Sequence, residues 1–268
     1  MIENSFIFLE KVSTKLEQGI WQQGIRGWTD FLNAKSVKGI SKHRKLFYDR
    51  KIREAMNALY NLDAQYFVHK LPQSETWRLY PFFSDEAVFL DIETTGLRTT
   101  HSVTVIGLFD GTNTKTMIKG INLDERKLAR ELQNYRLLVT FNGGSFDIPF
   151  LAKQFPKLLP SVPHFDLKVA CARIGLSGGL KKIEKHFGIS RSTIVDGMNG
   201  GDALCLWKMY RATGDDYYLN LLVEYNEEDV INLKTIADKV TQELQIKCLG
   251  KEKVAMLASH VAAAGDVY

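Results

Sequence analysis

The stretch that most limits how this chain can fold is Ala87-Val88-Phe89-Leu90-Asp91-Ile92-Glu93-Thr94-Thr95-Gly96-Leu97. Its apolar start reads as a buried strand, and that strand ends in two carboxylates one residue apart. Side chains at i and i+2 of a strand share a face, so Asp91 and Glu93 emerge together while Ile92 turns to the opposite layer. Carboxylates that close raise each other's pKa unless a cation sits between them. A hard divalent ion bound through oxygen is the natural resolution. The plain alternative is a strand end with solvated charges.

The 268 residues suit one domain of ordinary size with an appendage, and they are enough for a real core. No run of about 18 apolar residues occurs, so no membrane span is expected. Residues 1–10 lack the basic, apolar and small-residue blocks of a signal peptide. The cysteines Cys171, Cys205 and Cys248 have no metal-ligand spacing and read as reduced core thiols of a cytoplasmic protein. Charge is uneven. Residues 1–84 hold 13 Lys/Arg against 8 Asp/Glu, a net of +5, whereas residues 85–268 hold 22 against 23, a net of −1. A basic front section is an electrostatic footprint for a polyanion, or simply a hydrated helical surface.

Residues 1–74 read as helical, with short helices over 8–16 and 29–33 and a longer pattern over 41–71. Lys42, His43, Arg44, Lys45, Arg50, Lys51 and Arg53 crowd the start of that last helix, the wrong end for its dipole, which hints at an outside partner. Pro72-Gln73-Ser74 marks a boundary. Beyond it the pattern turns to mixed α/β, with a first strand whose apolar run 87–90 ends in the two carboxylates, further strands over 101–109, 114–121 and 136–141, and a short one at Phe165. Asp110-Gly111 is a hairpin turn signal. Helices are expected over 124–132, 146–155, 167–174, 180–187, 204–211 and 215–240. Three meandering strands, then strand–helix–strand, then helices suit a central mixed sheet with helices on both sides.

Two further pieces carry chemistry. Asn142-Gly143-Gly144-Ser145-Phe146-Asp147 follows a buried strand and opens a helix, which sets Asp147 at a helix start on the ligand-gathering edge of an α/β sheet, or makes it a simple cap. Tyr225 and Asp229 are four residues apart on the long late helix and share a face at the margin of its buried stripe. Glu227 and Glu228 read as solvated.

Asp91-x-Glu93 on a strand, Phe146-Asp147 at a helix start and Tyr225-x-x-x-Asp229 on a late helix resemble, in this order, the signature of the DEDD 3′–5′ exonucleases of the RNase H-like superfamily. The closest likeness is to the YprB-like branch, which residues 77–81 and 180–191 also resemble. A tyrosine four before the last Asp, with Glu224 at the position of the histidine branch, is the DEDDy pattern. The resemblance implies an RNase H-like α/β fold, with a mixed central sheet of about five strands flanked by helices and an N-terminal helical appendage. The expected division is 1–74 as the helical segment, 75–245 as the exonuclease domain and 246–268 as a helical tail.

It further implies hydrolysis of phosphodiester bonds at single-stranded nucleic-acid 3′ ends, DNA or RNA, with two divalent ions, Mg²⁺ or Mn²⁺. Asp91, Glu93, Asp147 and Asp229 are then the metal ligands, Tyr225 orients the attacking water, and Thr94, Thr95, Leu97 and Asn142 meet the terminal nucleotide. Asp166 resembles a family position but also suits a helix cap, and His164 reads as structural. Gly178-Gly179-Leu180-Lys181-Lys182 could meet a phosphate, yet no P-loop pattern is present and no nucleotide cofactor is expected. Arg191 reads as solvated surface or a contact to the substrate backbone. Residues 19–32 resemble part of a helix-hairpin-helix, with Lys11-Val12-Ser13 standing where its glycines belong. An endonuclease or RNase on the same scaffold, and a non-catalytic nucleic-acid-binding module, are the competing readings.

Overall fold

The computed structural model describes residues 1–98 and 100–250. Five strands form one sheet in the order β3-β2-β1-β4-β5: β1 (Ala87–Thr94), β2 (Val103–Phe109), β3 (Thr114–Ile118), β4 (Leu137–Thr140) and β5 (His164–Asp166). β1, β2 and β3 meander antiparallel, whereas β4 and β5 run parallel to β1. The carboxyl ends of β1, β4 and β5 therefore meet at one edge of the sheet, where ligands collect in such folds. The turn between β2 and β3 forms where Asp110-Gly111 signals it. Asp110 Oδ1 accepts the amides of Thr112 and Asn113 at 2.8 and 2.7 Å.

The helices are α1 (Thr14–Gln22), α2 (Trp28–Asn33), α3 (Lys42–Tyr60), the single turn α4 (Tyr80–Phe83), α5 (Glu125–Leu132), α6 (Asp147–Gln154), α7 (Leu167–Arg173), α8 (Leu180–His186), α9 (Gly200–Thr213) and α10 (Asp216–Leu249). They flank the sheet on both sides. Val88, Leu90 and Ile92 of β1 pack with Leu128 and Leu132 of α5 and Phe150 and Leu151 of α6. Phe89 belongs to the opposite layer with Val230, Leu233 and Ile236 of α10. The period-two alternation of β1 thus delivers Asp91 and Glu93 to the α10 side.

Several element ends differ from the sequence pattern, each for a local reason. α1 starts at Thr14 instead of Phe8, because the Ser13 hydroxyl caps it by accepting the Leu16 amide at 3.3 Å. The pattern expected to run to Leu71 breaks at Tyr60, where Leu62 takes a left-handed φ of 52° and a 3₁₀ turn, Ala64–Phe67, follows. α9 begins at Gly200 because Asn199 and Asp202 form a capping box. α10 continues past Val240 to Leu249, burying Thr241 and Leu244. Cys205 is exposed rather than a core thiol. The tail expected over 246–268 has its first four residues in α10, and residues 251–268 lie outside the described residues. Among the described residues no helix is long and apolar enough to cross a membrane.

The N-terminal helices share one apolar core with α10 and the sheet. A buried ion network crosses that junction. Arg78, 1% exposed, donates to Glu17 of α1 at 2.9 Å and to Glu75 at 2.6 Å, while Arg173 of α7 also pairs with Glu75. Glu17 in turn accepts the Phe6 amide at 2.6 Å and the Ser5 hydroxyl at 3.1 Å. Removing one partner of such a network strands a desolvated charge. Glu17→Ala is expected to lower unfolding free energy by about 3–5 kcal/mol, read as a fall in the urea midpoint.

Candidate active site

The end of β1 and the middle of α10 bring three carboxylates together. One oxygen each from Asp91, Glu93 and Asp229 lies within 4.8 Å of the others. They line a cavity of about 390 Å³ that also takes in Asp147, Tyr225 and Asn142. Asp147 begins α6, and its Oδ1 accepts the Ile92 amide of β1 at 3.2 Å. It is tied across to the central strand, adjoining the trio without being one of its three members.

Two residues to which the sequence assigned no part in the trio hold it in place. Asn226, fully buried on α10, donates from Nδ2 to Asp91 Oδ2 at 2.9 Å. It lies directly on Gly107, the β2 partner of Asp91, where any Cβ would collide with the Asn226 amide. Gly107 is thus required by close approach, a use of glycine in a strand interior that the sequence leaves unmarked. Arg191 is the second. Its side chain is only 2% exposed, against the expectation of solvated surface. It pairs with Asp229 and bonds Glu184 of α8 through Nε and Nη2 at 2.8 and 2.7 Å. Asn232 of α10 closes the loop by donating to Glu184 at 3.0 Å.

Glu227 and Glu228 are not merely solvated. Glu227 accepts the Thr116 hydroxyl of β3 at 2.9 Å, and Glu228 accepts the Ser192 amide at 2.8 Å. Ser192 Oγ also donates to Glu224 at 3.0 Å, so α10 grips the segment that carries Arg191.

The remaining sequence candidates are spread around the rim. Thr94, Leu97 and Asn142 line the cavity, and Leu97 is 86% exposed. Thr95 instead lines the adjoining depression, which shares Leu204 with the cavity. Asn142 has a left-handed φ of 64°, and its Oδ1 accepts Lys168 Nζ at 3.1 Å. Asp166 caps α7 and holds the loop after β4 by accepting the amides of Asn142 and Gly144 at 2.9 and 3.1 Å. His164 Nε2 lies 2.8 Å from Thr140 Oγ1, a structural contact. Lys181 Nζ sits 5.6 Å from the Tyr225 ring centroid and donates to the Asp196 carbonyl.

The electrostatics follow from burial. Desolvation, then the charges of Asp229, Asp147 and Glu93, push Asp91 well above the usual carboxylate range, and the Asn226 hydrogen bond opposes this. Glu93 is raised by the same burial and by Asp229 and Asp147. Burial lifts Asp147 to about 7 despite its backbone hydrogen bonds. It lifts Asp229 to about 6, with the Arg191 guanidinium holding it down. The Tyr225 phenol is raised by burial and by Asp229, Glu93 and Asp91. Hard oxygen donors, desolvated and mutually repelling, fit a divalent cation.

A mixed five-stranded sheet flanked by helices, with acidic residues gathered at the end of its central strand, is an RNase H-like α/β fold. The family model of the RNase_H superfamily matches residues 88–241, and the chain belongs to that superfamily. Solved structures similar to it include one described as the apo form of a nuclease, 21% identical, covering 67% of this chain and 80% of that one, with a TM-score of 0.46. NrnC of Brucella melitensis is 22% identical over 67% of this chain and 82% of its own, with a TM-score of 0.43. The family B DNA polymerase of the hyperthermophilic archaeon Pyrobaculum calidifontis is 16% identical over 61% of this chain and 26% of its own, with a TM-score of 0.47. No match was found among the curated proteins.

The raised carboxylates set a pH dependence. Between the ordinary carboxylate range and the raised folded values, the folded protein holds protons that the unfolded chain has released. Stability of the metal-free protein is therefore expected to fall as pH rises from about 4 to about 7. Added Mg²⁺ or Mn²⁺ is expected to raise the melting temperature much more at the upper end of that window than at the lower, in a thermal melt with and without chelator. Separately, Asn226→Ala is expected to weaken divalent-ion binding by about 10- to 100-fold in a calorimetric titration.

Proposed function

We propose that this chain is a metal-dependent 3′–5′ exonuclease of the DEDDy type, of the YprB-like branch, that hydrolyses the terminal phosphodiester bond of a nucleic-acid strand. The observation that carries the reading is the convergence of Asp91, Glu93 and Asp229 in one cavity with Tyr225 beside them. At about 390 Å³ the cavity is of the size that takes one small ligand, which suits a single terminal nucleotide better than a duplex.

Asp91, Glu93 and Asp229 would hold one divalent ion, Mg²⁺ or Mn²⁺, and Asp147 would help to hold a second. When bound, the ions supply positive charge beside the attacking water and the leaving 3′ oxygen. The chain's own groups do the positioning. Asn226 fixes the Asp91 carboxylate, and Arg191 pins one oxygen of Asp229 and so limits its rotation. Burial and the charges of Asp229, Glu93 and Asp91 raise the Tyr225 phenol above its ordinary value, which favours its orienting the water over accepting its proton. Thr94, Thr95, Leu97 and Asn142 would border the terminal nucleotide, and Lys168 beside Asn142 offers a cation to its phosphate.

The test is digestion of 5′-labelled single strands of DNA and RNA. A ladder shortening by one nucleotide at a time from the 3′ end is expected, and internal cuts alone would make the chain an endonuclease. Asp91→Asn and Asp229→Asn are expected to reduce hydrolysis to background with the fold intact by circular dichroism. Tyr225→Phe is expected to slow turnover by about 10²-fold or more while divalent-ion affinity stays unchanged.

A further inference from the structure

Two depressions lie between the loop after β4, which borders the catalytic cavity, and the N-terminal helices. Asn142 lines the cavity, and two residues on, a Cβ at Gly144 would come within 2.7 Å of Gln73 Nε2. Gln73 lines the next depression, of about 270 Å³, together with His69, Leu71 and His164. His69 and Leu71 in turn line a cleft of about 620 Å³ between residues 8–12, α3 and residues 66–72. The two outer depressions share walls, and Gln73 beside Gly144 brings the nearer one up to the loop that carries Asn142.

The far cleft is cationic and aromatic. Lys11 and Lys70 are exposed on its walls, with Lys51 half-buried beside Phe47. Lys70 Nζ stands 3.4 Å from the Tyr66 ring centroid, and Arg50 and Lys51 lie 5.5 and 5.8 Å from that of Phe47. Glu10 is the acid on its walls, with Glu54 and Asp63 close enough to act on Lys70, and Glu54 is already paired with Lys51 at 2.8 Å. Cations at ring faces form the platform on which a strand lays phosphates and bases alternately. The excess positive charge of residues 1–84 supplies the complementarity that a polyanion needs.

We propose that this cleft holds the single-stranded part of a nucleic-acid substrate, upstream of the end that enters the catalytic cavity, with Gln73 and His69 along its path. The proposal rests on the nuclease reading for its direction but not for its readout. Burial and the nearby Lys51 charge lower the Lys70 ammonium below its ordinary value, and a phosphate seated between the two lysines relieves that repulsion.

The test is fluorescence anisotropy of a labelled single strand of about 20 nucleotides, using full-length Asp91→Asn protein so that nothing is cleaved. Adding Lys11→Glu and Lys70→Glu together is expected to weaken binding by about tenfold or more and to reduce the slope of log affinity against log salt by about 2. The exposed Lys157→Glu, away from the cleft, is the charge control. The same Lys11/Lys70 pair placed in the wild-type chain is expected to leave hydrolysis of a dinucleotide unchanged. Unchanged affinity for the long strand would overturn the proposal. So would an equal loss with the dinucleotide, or with a blunt duplex of the same length. If the wild type cleaves nothing yet binds the strand in a Lys11- and Lys70-dependent way, the catalytic reading fails and the cleft stands.

Discussion

The repulsion between desolvated carboxylates at the end of the central strand is the constraint on which the rest of the structure depends. Asp91 and Glu93 reach the same face of β1 because a strand alternates its side chains, and α10 sets Asp229 against them. Left alone, such a cluster favours the protonated form, the direction in which burial and mutual repulsion push Asp91 and Glu93. A fold that keeps it must surround it with donors and cations. Asn226, the Ile92 amide and Arg191 are those partners, each reaching a different carboxylate.

α10 is the brace for this arrangement. Along one 34-residue helix it presents Tyr225 and Asp229 to the cavity, Asn226 to Asp91, Glu224 and Glu228 to the segment carrying Arg191, and Val230 to Leu244 to the core shared with the N-terminal helices. The buried Arg78 network then fixes those helices to the same body. The lysine-bearing cleft of the N-terminal helices and the acidic cavity are thereby carried on one body.

Much of this was legible because it depends on local spacing. The Asp-x-Glu pair needs only the period of a strand, the Tyr225/Asp229 pair only the period of a helix, and the Asp110 turn only its own side chain. The five strands and their flanking helices followed from hydrophobic runs and turn residues. What escaped depends on contacts between distant segments. Arg191 reads as surface until α8 and α10 close over it with Glu184 and Asp229. Asn226 looks like one more residue of a buried stripe, and only the missing side chain at Gly107, 119 positions away, lets it reach Asp91. The long helix expected through Leu71 failed at Leu62, where a left-handed residue ends α3 although the apolar spacing continues.

A cation-holding cluster must trade protons for metal, since its ligands bind as carboxylates. Calorimetric titration of Mn²⁺ into the purified protein near neutral pH, repeated in buffers of different ionisation enthalpy, measures that exchange directly. Binding that releases about one proton or more, and that disappears in Asp91→Asn, is the expected result. Binding without proton release, or binding that survives Asp91→Asn unchanged, would contradict it.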